Sequence, residues 1–157
     1  MILDEKTEFC DATSVILTAG SAWQNIGDVV PLTKARNLGV GMPIYLVIGI
    51  TTSIIGSTDG TGTFALRLVS DTSDNPPHVS TSTVHWTGLY VSTNTTAVAG
   101  LTAGVRYACI ALPDGDYETY LGIQANVATR STTAGAINAF LTLDPNQWKA
   151  YADALPS

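Results

Sequence analysis

Apolar and polar positions alternate along most of this chain, broken at short intervals by Gly, Pro, Asn and Asp, and no helical period persists over several turns. The pattern predicts an all-β protein. Strands are expected at Ala22–Val30, Ile44–Ile50, Thr63–Ser70, Val79–Trp86, Leu89–Thr93, Val105–Leu112, Tyr120–Val127 and Ala136–Leu143. Ile44–Ile50 is apolar on both faces, which suits a central strand. Thr63–Ser70 alternates Phe64, Leu66 and Leu68 against Ala65, Arg67 and Val69, so Arg67 should point away from the core. Turn chemistry marks Thr58–Gly62, Ser70–Pro77, Thr102–Gly104, Pro113–Asp116 and Thr129–Gly135 as connections. About eight antiparallel strands in two packed sheets is the number a jelly-roll β-sandwich uses. One domain over 1–157 is expected, with irregular ends at 3–20 and 144–157. Within the second end, Asp144–Asp153 has the cap and first-turn proline of a short helix.

Composition adds a constraint on the surface. The chain carries 7 basic and 13 acidic residues among 157, or 13% charged, about half of what a soluble domain usually carries. A surface so thinly charged is expected to be covered by a partner. The edges of a β-rich domain point the same way, because few prolines or inward charges blunt them. Net charge is −6 and the basic residues are scattered, so no stripe is available to neutralise phosphates and nucleic acid is excluded as a partner. The longest apolar run, Pro43–Ile50, is far short of the roughly 20 residues of a membrane helix. Acids stand at the amino terminus where a signal peptide carries positive charge, so folding in a cytoplasm is expected.

Chemistry is sparse. His78 and His85 belong to no hydrolase, metalloprotease or nucleotide-binding motif, and a Ser–His–Asp set can be drawn in any chain this rich in Ser and Asp. Asp114-Gly-Asp-Tyr-Glu118 offers carboxylates at alternate positions to a cation, but the same residues build a turn into the strand at Tyr120, and the turn is the expected reading. Cys10 and Cys109 have neither metal nor redox spacing; Cys109, in an apolar run, is expected to be a buried thiol, with a Cys10–Cys109 bridge as the alternative. No enzyme activity, cofactor or metal is expected. The aromatics are dispersed. Trp148 and Tyr151 stand apart, at helical spacing beyond the predicted sandwich.

Several phrases together carry a family likeness: Leu3-Asp4 followed by Asp11-Ala-Thr13, Ile26–Val30, Gly39–Val47, Phe64–Asp71, Tyr120-Leu-Gly122 and, most specifically, Ala134–Asp144 with Trp and Tyr after it. In that order they resemble the capsid cement (decoration) proteins of tailed phages typified by the Bordetella phage. The resemblance implies a jelly-roll domain without an active site. It would bind the major capsid protein on the outside of the virion and stabilise the shell by bridging neighbouring capsomers. Symmetric self-association is also expected, a dimer in preference to a trimer. Protein contacts are expected in the terminal segments, at Leu3, Phe9, Trp148 and Tyr151. A carbohydrate- or receptor-binding β-sandwich on a virion surface is the alternative, and it requires two or three aromatics exposed together. A metal-dependent jelly-roll enzyme would need clustered histidines, which two histidines do not supply.

Overall fold

The alternating segments pair into two antiparallel sheets in a computed structural model that describes residues 7–20, 22–34, 36–38, 41, 43–58, 62–73 and 81–145. Among these residues there are eleven strands: β1 (Glu8–Ser14), β2 (Gln24–Pro31), β3 (Arg36–Leu38), β4 (Tyr45–Gly56), β5 (Gly62–Asp71), β6 (Thr83–Thr87), β7 (Val91–Thr93), β8 (Arg106–Ala111), β9 (Gly115–Tyr117), β10 (Tyr120–Ala128) and β11 (Thr132–Thr142). One sheet runs β1-β11-β4-β8 and the other β2-β10-β5-β6, with β7 also on β5; β3 and β9 form a separate pair. Early and late strands interleave in both sheets, and the two antiparallel sheets form a sandwich.

Alternation decides which faces meet. Phe64, Leu66 and Leu68 of β5 and Leu121, Ile123 and Val127 of β10 join Leu46, Ile48 and Ile50 of β4 and Ile137 of β11 in one core, none more than 1% exposed. Each such side chain stabilises the fold by about 1.5–3 kcal/mol through apolar burial. β4 is central and buried on both faces as its pattern predicts: Val47, between Leu46 and Ile48, turns outward to pair with Phe140, and these two are 2% and 1% exposed.

The amino-terminal segment departs from expectation. Part of the stretch expected to be irregular is strand β1, paired with β11. Its register shifts between Glu8 and Cys10 and again between Cys10 and Thr13, and Ala12 takes a positive φ of 44°. Two irregularities in seven residues erase the period of two that a sequence pattern relies on. The same cause hides the start of β11. Thr132–Gly135, expected in a loop, belongs to the strand, and its register slips three times between Thr132 and Ile137, beside Gly135 at φ 146°. Thr132, 3% exposed, anchors this bulged stretch by donating its hydroxyl to the Val15 carbonyl (2.7 Å) and accepting from the Leu17 N–H (2.7 Å). The predicted carboxy-terminal helix lies, beyond Pro145, outside the described residues.

The two long sides of the sandwich are built differently. On one, β1 and β2 approach backbone to backbone, and the Cys10 thiol donates to the Ile26 carbonyl (3.6 Å). On the other, β8 and β6 stand apart, and Tyr107 and Trp86 fill the gap. A groove of about 470 Å³ runs along this open side, lined by Trp86, Leu89, Arg106, Tyr107, Cys109 and Ile110.

Candidate interaction surface

The buried thiol expected at Cys109 is found at Cys10 instead. Cys10 is the buried thiol, 2% exposed, and desolvation pushes its pKa up to about 12, so it stays protonated. Cys109 is only half-buried because β8 is an edge strand that borders the open groove. Both are free thiols, so the alternative of a bridge between them does not hold.

Strand register assembles a polar row on the outward face of the second sheet. Arg67 on β5 stands opposite Gln124 on β10 and Thr87 on β6, and Gln124 stands opposite Asn25 on β2. The Arg67 Nε–H donates to Gln124 Oε1 (2.8 Å), and the Gln124 amide donates to Asn25 Oδ1 (2.8 Å). Gln124 is completely buried, and both ends of its amide are satisfied. Arg67 does point away from the core, as its alternation predicts, into this packed row.

Trp23 comes over the row from the segment leading into β2. That segment is tied down by the Gly20 N–H to the Val127 carbonyl (2.9 Å) and by the Asn126 amide to the Ala22 carbonyl (3.2 Å). The Trp23 ring lies 4.3 Å from the Arg67 guanidinium carbon and edge-on to Tyr90, with centroids 6.3 Å apart. Burial lowers the pKa of Arg67, opposed by the nearby Tyr90; an arginine starts so high that it keeps its charge at neutral pH.

Tyr90 and its neighbour Leu89 are held in place from the core side. Tyr107 on β8 donates its hydroxyl to the Leu89 carbonyl (2.7 Å), accepts from the Leu66 N–H (3.3 Å) and meets Phe64 edge-on at 6.2 Å. Burial pushes the Tyr107 hydroxyl up to about 12, so it remains a donor. Gly88, whose N–H donates to the Leu66 carbonyl, sits so close to Tyr107 and Trp86 that a Cβ there would lie under 3 Å from both rings. The result is a braced corner that presents Leu89 at 83% and Tyr90 at 56% exposure. Trp, Tyr and Arg are the residue types that dominate interface energetics.

The one Ser–His contact among the described residues has another character. His85 Nε2 lies 2.7 Å from Ser70 Oγ, and the same oxygen accepts from the Glu118 N–H (3.1 Å). The imidazole tautomer sets which of Ser70 and His85 donates; the ring is neutral and stacks on Tyr117 with centroids 3.8 Å apart. Ser70 is 0% exposed, so no substrate reaches its oxygen; the pair pins β5, β6 and the β9–β10 turn together. Burial lowers the His85 pKa. As pH falls the unfolded chain takes up this proton first, so the stability contributed by neutral His85 is complete above about pH 6.5 and is lost as pH falls through the lower folded-state value. An NMR titration should place its midpoint below about 6.5, and His85→Gln should flatten the melting temperature between about pH 7 and 5. A midpoint above 6.5 or an unchanged slope would contradict this reading.

Among the described residues no group of three or more His, Cys, Asp or Glu side chains is placed to hold a metal ion. In the Asp114–Glu118 stretch, Asp116 lies on β9 opposite Asn37, and Glu118 accepts from Thr83 Oγ1 (3.1 Å).

Of the four residues expected to make protein contacts, Leu3, Trp148 and Tyr151 lie outside the described residues, as does His78. Phe9 is corrected: at 1% exposure its side chain belongs to the core, because β1 turns it between the sheets. Trp23, Arg67, Leu89 and Tyr90 escape sequence reasoning as a group, since only pairing across β2, β10, β5 and β6 brings them together. Compared with known protein families, the chain matches the family described as Bbp16 over residues 9–141, a span that holds the whole Trp23–Arg67–Tyr90 cluster and leaves out Leu3, Trp148 and Tyr151. Among curated proteins no match is found.

Proposed function

The chain belongs to the Bbp16 family, a Bordetella phage protein family of structural type, and from that premise we propose that it is a capsid cement protein. It binds the exterior of the phage shell through the major capsid protein and bridges neighbouring capsomers, with no catalytic step. The observation that carries the reading is the family match over residues 9–141. The physical character of the surface supports it: 13% charged residues, exposed Leu89 and Tyr90 on a braced corner, and β8 as an unpaired edge among the described residues. Symmetric self-association, as a dimer, lets each subunit spread modest contacts over several shell copies, because one closed contact raises the effective concentration for the next.

The test is to mix the purified protein with expanded, undecorated capsids and image the particles by electron cryomicroscopy. Regular density on the shell exterior is the expected result; a bare shell at saturating protein would overturn the proposal. A carbohydrate- or receptor-binding role is favoured by one observation, the Trp23–Tyr90 contact, which assembles two of the aromatics that such a module needs. Binding to a glycan array together with bare capsids would select it.

A further inference from the structure

Arg67 is held in a manner that the fold alone does not require. Its Nε–H serves the buried row through Gln124, and its guanidinium carbon lies over the Trp23 ring, 4.3 Å from the centroid. The cation–π contact and the hydrogen bond together restrain the guanidinium. Among the described residues the terminal amino groups have no hydrogen-bond partner and no carboxylate. A guanidinium restrained in this way has already lost much of the freedom that binding would otherwise remove, and its fork geometry matches a carboxylate. Tyr90, 56% exposed, stands beside it, edge-on to Trp23, and is followed back along the chain by Leu89, 83% exposed, whose carbonyl is held by Tyr107.

We propose that Trp23, Arg67 and Tyr90 form a docking point for an acidic side chain, Asp or Glu, of the protein that this chain binds. The carboxylate meets the terminal amino groups of Arg67, Tyr90 excludes water around the pair, and the adjoining Leu89 extends the apolar surface at the corner. The proposal rests on the capsid-binding reading and names its contact. A protein occupant is favoured over an acidic sugar because Leu89 adds aliphatic surface that a protein side chain buries and a hydroxylated ring does not use. A phosphate-rich partner is disfavoured because the cluster holds a single cation in a chain of net charge −6.

The test measures affinity of the full chain for expanded, undecorated capsids across a salt series, with melting temperature and solution mass recorded for every variant. Arg67→Gln should weaken binding about tenfold or more and reduce its salt dependence. Arg67→Lys, which keeps the charge without the planar fork, should remain several-fold weaker than the parent. Tyr90→Ser should weaken binding several-fold at unchanged melting temperature, since its side chain is largely exposed; if Arg67→Gln proves unstable, Tyr90→Ser and Arg67→Lys decide. Failure of the unsubstituted chain to bind capsids would defeat the capsid reading itself. Capsid binding that is indifferent to these substitutions would overturn the docking point alone. A change in solution mass caused by Arg67→Gln would reassign the cluster to self-association, and Arg67-dependent binding of sialyllactose with capsid affinity unaffected would reassign it to a glycan; either result overturns the proposal.

Discussion

Replacing Gly27 by alanine should destabilise the protein by about 2–5 kcal/mol and lower its melting temperature by about 10 °C. Gly27 sits at φ +69° in β2, where the register against β10 shifts, and a Cβ there would fall 2.0 Å from the Phe9 carbonyl oxygen and 2.6 Å from the Cys10 sulfur. The first contact is with backbone, so no rotamer change relieves it. β1 must move away from β2, which opens the closed side of the sandwich and exposes Phe9 and Cys10. Gly100→Ala is the internal control: its φ is +89°, yet a Cβ there meets nothing within 4 Å. Only the conformational cost of about 1–2 kcal/mol applies to it. Calorimetry on both variants separates strain from collision, and equal losses would contradict the close approach of β1 to β2.

Phe64→Ala should cost about 3–5 kcal/mol, through lost apolar burial and the cavity left behind. Phe64 is 0% exposed and meets Tyr107 edge-on, so the substitution removes the ring that packs against the brace of the Leu89–Tyr90 corner. A urea titration should show the midpoint shifted down with the slope unchanged. Phe64→Leu keeps most of the volume and should lose less than about 1.5 kcal/mol. A Phe64→Ala protein as stable as the Leu variant would mean that the ring does not hold the sandwich together. Because the Tyr107 brace loosens with it, Phe64→Ala should also weaken capsid binding at temperatures where the chain remains folded.

The legible parts of the fold were those where local pattern and global packing agree. β4, β5 and β10 are long, regular and central, and their alternation states which side chains enter the core; Arg67 was correctly turned away from it. β1 and the start of β11 were not legible. Their irregular register is set by each other's backbones and by Thr132, so no window of the sequence contains the cause. Cys109 lies in an apolar run that reads as interior, whereas β8 has a strand on only one side among the described residues, and edge position leaves the thiol half-exposed.

The candidate surface shows the same division. The residues of the Trp23–Arg67–Tyr90 cluster come from a segment before β2, from β5 and from the link between β6 and β7. Each by itself reads as an ordinary strand-edge aromatic or an outward charge, and the aromatics as a set look dispersed. Composition and alternation determined that the chain is all-β and thinly charged, because these properties are sums over residues or repeats along the strand, while the absence of recognisable catalytic motifs and the resemblance to phage cement proteins are read from particular phrases such as Ala134–Asp144. Which residues share a surface was decided only by the tertiary structure, because strand order in two interleaved sheets sets neighbours across hydrogen-bonded ladders rather than along the chain.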